Sequence, residues 1–302
     1  MKARQGAVDG VAWVLMVLTV LAWAGSWIAM KMVVPYIGPF DFVVLRYVCG
    51  GAVLLVLALA MRRPLSMPSW WATVLVGLTQ TAAFQGMVQM ALVHGGVGKI
   101  SLMAYTMPFW VVLFGWILLR ERPGPRHWLG MGLAAVGLLC VIAPWKPIGD
   151  TISVLLGLVA GMFWGLGTVL AKRGFNRHQP DIIVFTGWQM FIGGVAMAPV
   201  ALAVPQIAIV WNLPLLLGMA YIILIASAAG WLLWLIVVRR VPASVAGMSS
   251  LGTPVIAALL AWLIFDERPA PLEGLGMVLI LCGLVVVARA AGRPSPRPLT
   301  AS

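Results

Sequence analysis

Residues 119–131 read LRERPGPRHWLGM, and residues 265–277 read FDERPAPLEGLGM. Seven of the thirteen positions agree, among them Glu121/Glu267, Arg122/Arg268, Pro123/Pro269, Pro125/Pro271 and Gly130/Gly276. Each stretch closes one apolar run, turns on its prolines and opens another. Spacing of the uncharged runs predicts ten helical spans, so the first junction follows the fourth span and the second follows the ninth. Five crossings lie between them, an odd number, which puts the two copies on opposite faces of a bilayer. The flanking charge agrees: Arg120 and Arg126 mark the first copy, whereas Asp266, Leu272 and Glu273 stand in the second.

Composition supports the membrane reading. The chain is 62% hydrophobic and 9% charged, with mean hydropathy +1.04. Soluble domains carry about 25% charged residues. A helical span needs roughly 20 mostly apolar residues, and the length suits about ten of them. The uncharged stretch 182–238 is too long for one crossing and breaks at Val204-Pro205 to Asn212-Leu213-Pro214. Membrane barrel strands would alternate apolar and polar residues. These runs are continuous, so the expected fold class is all-α integral membrane, ten transmembrane helices as two inverted five-helix repeats. Cys49, Cys140 and Cys282 fall inside apolar runs with no metal or disulfide spacing. Lys2, Arg4 and the run after them imitate a secretory signal, with Ala22-Trp23-Ala24 as nominal cleavage site, but the run is too long for one.

The net charge of +12 does not point to nucleic acid, because the basic residues stand singly and in pairs at span ends. Fifteen Lys and Arg fall on the side of the two termini and five on the other, which places both termini in the cytoplasm by the positive-inside rule.

The two halves match beyond the junction. Trp23 and Lys31 in the first span align with Trp164 and Lys172 in the sixth, Pro108 with Pro254, Trp116 with Trp262, Met131 with Met277 and Gly137 with Gly283. Inverted repeats are the signature of secondary transporters, whose central site opens to either side. On these motifs each half resembles an EamA domain of the drug/metabolite transporter superfamily, the first over residues 10–145 and the second over 150–290, with 291–302 a short cytoplasmic tail. The bacterial amino-acid exporters of the YddG type look similar in size and helix count. The resemblance implies a central cavity among helices 1, 3, 4, 6, 8 and 9, with helices 5 and 10 outside.

No acidic residue falls at mid-span, where a carboxylate would flag cation binding or proton exchange. Lys99, at the start of the fourth span, either attracts a substrate carboxylate or snorkels to the interface; His94 is expected in a loop. Gln80, Gln85 and Gln89 lie in the third span, where Gln85 and Gln89 share a face. Gln85 matches Trp231, and Val88 matches Trp234. Such amides either line a cavity or bond between helices. Trp23 and Trp164, with Ser26, lie deep in small-residue settings. Tyr105, Thr106, Ser249, Ser250 and Thr253 fall within a turn of the kink residues Pro108 and Pro254, where hydroxyls line the cavity or satisfy freed carbonyls. The candidate substrate contacts are therefore Trp23, Ser26, Gln85, Lys99, Tyr105, Trp164, Trp231 and Ser250. Arg46 is read as an anchor or a partner of Asp41, and Glu121 as a cap on the helix that follows it.

No HExxH, phosphate loop or nucleophile elbow is present. The expectation is a non-enzymatic, gradient-driven secondary transporter of the bacterial inner membrane, with no cofactor and no metal. Its partners are a small molecule and the lipid bilayer, and a monomer suffices. It would export small amphipathic metabolites, aromatic or other apolar amino acids first. A lipophilic drug exporter and a membrane scaffold are the alternatives.

Overall fold

The computed structural model describes residues 10–94, 103–142, 151–266 and 268–291; Lys99, Glu267 and the tail 292–302 lie outside them. The described residues are helical throughout, without a strand. Helix α1 is Gly10–Val33 and α2 is Pro39–Ala60. Helix α3 covers 70–94, with a π-helical segment, Gly77–Ala83, between two α-helical parts. Met107–Leu119 is α4, Pro125–Ile142 is α5, Thr151–His178 is α6 and Ile182–Ala203 is α7. Leu213–Arg240 is α8, again with a π-helical segment, Ile222–Ala229. Helix α9 has two parts, Ala243–Ser249 and Gly252–Phe265, and α10 is Pro271–Ala291. His94 is the last residue of α3 rather than a loop residue.

Six of these are long and apolar enough to cross a membrane: α1, α2, α6, α7, α8 and α9. Backbone groups in lipid must be satisfied internally, which makes helices the outcome for such runs. Their ends follow local chemistry. Proline opens α2, α5 and α10, where its missing N–H is no loss. The Asp181 side chain accepts from the N–H groups of Ile183 and Val184 to start α7, and Asn212 accepts from that of Leu215 to start α8. Gln206, far along the chain, caps α2 by accepting from the N–H groups of Phe40 and Asp41 at 2.7 and 3.1 Å. The two copies of the repeated junction turn alike: Arg120 and Asp266 both adopt left-handed backbone, with φ 58° and 54°.

Large apolar side chains point outward on almost every helix, among them Leu202, Leu263, Trp70, Trp116 and Trp128. So much exposed apolar surface suits lipid. Inside, α1 packs on α8 and α9, α6 on α3 and α4, and α2 on α7. Helices α5 and α10 pack chiefly on each other. A Cβ on Gly130 would meet the Gly283 carbonyl oxygen at 2.7 Å, and one on Gly276 would meet that of Gly137 at 2.5 Å. Only glycine lets these two backbones approach so closely.

Candidate functional site

The π-helical segments of α3 and α8 end just before Phe84-Gln85 and Trp231, and both stretches turn inward. Extra residues in a π-helical turn re-aim the side chains that follow, and such turns recur at functional sites. Four indoles converge there from α1, α6 and α8. Trp23 lies 5.5 Å from Trp164, 5.2 Å from Trp231 and 5.4 Å from Trp234 by ring centroid. Phe84 packs on Trp164 at 4.9 Å, Tyr105 on Trp164 at 5.7 Å and Tyr47 on Trp231 at 6.4 Å. All are buried.

Against this cluster lies a cavity of about 50 Å³, lined from α1, α2, α3, α6, α8 and the turn before α4. One water needs roughly 10–15 Å³ of such space, so the cavity has room for a few water molecules beside the rings. A larger groove of about 210 Å³ runs between α1, α9 and α10. Of its lining side chains only Ser249 and the Trp13 indole carry a polar atom, so it offers little to recognise a polar solute.

Polar groups in the central cavity are few and mostly donors. The Tyr47 hydroxyl donates to Gln85 Oε1 at 3.3 Å, and Trp27 Nε1 donates to the Tyr105 hydroxyl at 3.3 Å. Ser26 Oγ donates to its own helix at Trp23 O, and Trp23 Nε1 to Ala226 O. Trp164 Nε1 has no acceptor, and Trp231 Nε1 lies toward the Tyr47 hydroxyl without reaching hydrogen-bond geometry. Arg46 corrects one of its two readings from sequence, the pairing with Asp41, and leaves the anchor reading standing. It does not pair with Asp41; it lies buried on the cavity wall, where its Nε donates to Ser227 Oγ of α8 at 2.8 Å. Its guanidinium sits 5.1 Å from the centroid of the Tyr47 ring. A charge five residues from Asp41 cannot share its face of a helix, and Arg46 turns inward because α8 supplies a hydroxyl there.

Of the remaining sequence candidates, Trp23, Ser26, Gln85, Tyr105, Trp164 and Trp231 all line this cavity. Ser250 does not; its Oγ donates to Gly247 O at 2.8 Å. Thr106 and Ser249 likewise donate to carbonyls three residues back. These bonds satisfy carbonyls at two helix breaks, at 105–106 and 250–251, that lie just ahead of Pro108 and Pro254. Gln80 donates to Thr168 between α3 and α6, so it serves packing.

At one end of the bundle, side chains cap helices they do not belong to. Lys172 Nζ donates to the carbonyl oxygens of Arg239 and Val241, where α8 ends. Glu121 Oε1 accepts from the Ala243 N–H at the start of α9. Glu121 thus caps α9 rather than α5, because the chain reversal at Arg120 carries its carboxylate across to the α8–α9 turn. Nearby Arg63 pairs with Asp181. Burial pushes the Asp181 carboxyl up, but the Arg63 guanidinium and the N–H groups of Val184 and Ile183 more than offset this and hold it below the usual carboxylate range.

Residues 10–143 and 151–289 each match the EamA-like transporter family. The uncharacterized transporter YoaV of Bacillus subtilis (strain 168) is 26% identical over 273 residues, covering 87% of this chain and 92% of that protein. A protein of Rhizobium johnstonii called riboflavin transporter is 29% identical over 198 residues, 64% of this chain and 62% of its own. A solved crystal structure superposes with TM-score 0.79 at 21% identity, covering 94% of this chain and 98% of the other.

Proposed function

The chain belongs to the EamA-like transporter family, a multi-pass membrane protein, and on that premise we propose that it exports small amphipathic metabolites by alternating access. The substrates proposed are amino acids with aromatic or other apolar side chains. The observation that carries this reading is the buried cage of four tryptophans with a polar flank of Gln85, Tyr47 and Tyr105. An indole or phenyl side chain stacks on such walls, and the flank offers hydrogen bonds to its polar end. Trp23, Ser26, Gln85, Tyr105, Trp164 and Trp231 are the proposed contacts, with Lys99 at the mouth of the path and Pro108 and Pro254 beside the helix breaks that would flex. The proposed organisation is ten crossings in two inverted halves, 10–145 and 150–290, with both termini cytoplasmic. On that orientation the Lys172, Glu121 and Arg63–Asp181 contacts lie at the cytoplasmic end.

Flat heterocycles larger than an amino acid form a second substrate class. A relative named a riboflavin transporter and the ring-lined walls favour it. The test is uptake of a labelled amino-acid panel and of riboflavin into liposomes holding the purified protein, first without and then with a proton gradient. Saturable uptake of phenylalanine, tyrosine or tryptophan, reduced in Trp164→Ala, is the expected result. Folded protein that carries riboflavin and no amino acid would replace the first substrate class with the second.

A further inference from the structure

A count of hydrogen-bonding groups in the central cavity shows a surplus of donors. The Arg46 guanidinium has five N–H groups, and among the described residues only its Nε has a hydrogen-bond partner, Ser227 Oγ. Trp164 and Trp231 add two indole N–H donors without acceptors, each almost wholly buried. The Tyr105 hydroxyl accepts from Trp27, which leaves its own proton to give. Thr253 Oγ1 of α9 faces that hydroxyl without bonding it. Among the described residues no carboxylate pairs with Arg46, and none lines the cavity. A charged side chain inside a membrane span is costly and marks a functional site when nothing in the protein neutralises it. Burying a charge without a partner is far more expensive than burying a neutral donor.

We infer that Arg46 is the anion-binding residue of the cavity, and that the ligand it takes is a monocarboxylate with a planar aromatic body. The planar fork of a guanidinium matches a carboxylate bidentately. A ligand carboxylate would take the free N–H groups of Arg46 and accept from Trp231 or Trp164, while its ring joins the indole cage. Ser227 then acts as a place-holder that keeps Arg46 oriented between occupancies. No acid stands ready for a ligand ammonium, so the carboxylate, and not the amino group, is the recognised end. This rests on the transporter reading and narrows its substrate class.

The test is competition in liposomes. Uptake of labelled phenylalanine and of labelled phenylacetate is measured, with unlabelled phenylacetate and phenethylamine as competitors, for the native chain, Arg46→Gln, Arg46→Lys and Ser227→Ala. Phenylacetate is expected to be carried and to compete, and phenethylamine is not. Arg46→Gln should raise the half-saturating concentration about tenfold or more, the scale of one charge-assisted hydrogen bond. Arg46→Lys keeps the charge without the fork and should fall between. Ser227→Ala should leave uptake equal or tighter, because it removes only the place-holder. If phenethylamine competes as well as phenylacetate, or folded Arg46→Gln carries phenylalanine normally, the assignment fails while the amino-acid reading stands. If phenylacetate is carried in an Arg46-dependent way and phenylalanine is not, the amino-acid reading fails while the assignment stands. Absence of binding of either carboxylate to folded native protein, by calorimetry, overturns the assignment.

Discussion

The α5–α10 pair and the central cavity are built from matched positions of the two sequence halves, yet they use the match in opposite ways. Gly130 matches Gly276 and Gly137 matches Gly283, and in the structure Gly130 meets Gly283 and Gly137 meets Gly276. The halves are alike there because each must offer the other the same thing, an absent side chain. In the cavity Trp23 and Trp164 also match and also meet, but around them the halves diverge. Gln85 stands where the second half has Trp231, and Arg46 at about the place where it has Gln189. Gln189 serves packing, since its Oε1 accepts from Thr81 at 2.7 Å, whereas Arg46 faces the cavity. Likeness between the halves builds the frame, and unlikeness equips the site.

If that division is right, substitutions in the frame change stability and those in the cavity change uptake. The largest loss of stability is expected from Gly283→Leu, whose side chain would drive into the Gly130 backbone carbonyl. Overpacking against backbone costs about 3 kcal/mol or more. Thermal unfolding in detergent should show it, with Gly132→Leu as the control, because a Cβ at Gly132 meets nothing within 4 Å. Equal melting of the two variants would break the comparison. Next comes Lys172→Met. It strips the Arg239 and Val241 carbonyls, at the end of α8, of a charged donor, a loss of about 2–3 kcal/mol. The melting temperature should drop while the half-saturating concentration for phenylalanine, measured on the folded fraction, stays put.

Much of the frame was legible in the sequence, and for physical reasons. Lipid leaves the backbone no alternative to helix, so each apolar run announced its element, although Pro39, Pro125 and Pro271, which read as preceding three helices, open them. The indoles at 23 and 164 stood out because an aromatic residue deep in a span, beside small neighbours, has few roles, and Trp231 stood out because it matches Gln85. Side chains that reach to a distant element were not legible. Glu121 reads as a cap on the helix that follows it, but the Arg120 turn delivers it to α9. Arg46 reads as an interfacial anchor, because nothing near it in sequence announces Ser227 on α8. Its signal was present in one respect: it stands well inside an otherwise uncharged run, and its match in the other half is neutral.

A smaller effect is expected at the Arg63–Asp181 pair, where the frame meets water. The folded Asp181 carboxyl titrates below its ordinary value. Its contribution is therefore complete above the unfolded value of about 4 and is lost as pH falls through the folded value. Asp181→Asn keeps a capping oxygen but loses the charge, and a partly exposed ion pair contributes only about 0.5 kcal/mol. The native chain should melt slightly higher than the variant at pH 7, and the gap should close as pH falls below 4. A gap that persists at acid pH would assign the difference to capping rather than charge.

The sharpest test of the division is expected from Trp164→Phe and Trp231→Phe, in each of which two effects on stability are of opposite sign and partly cancel. Each removes a buried N–H that has no acceptor, and leaving such a donor unmet costs about 1–3 kcal/mol. Losing that penalty offsets part of the packing lost with the smaller ring. The melting temperature should therefore hold within about 1 kcal/mol of native stability, and a modest rise would be in keeping. Transport should behave differently, because an indole N–H with no acceptor in the protein is free to serve one on a bound solute. Phenylalanine uptake should fall about tenfold in each variant, and less than additively in the double variant if both donors serve one carboxylate. Were both variants to melt as early as Gly283→Leu and still carry phenylalanine at the native rate, the cage would belong to the frame, and the cavity's donors would be a packing compromise without a ligand.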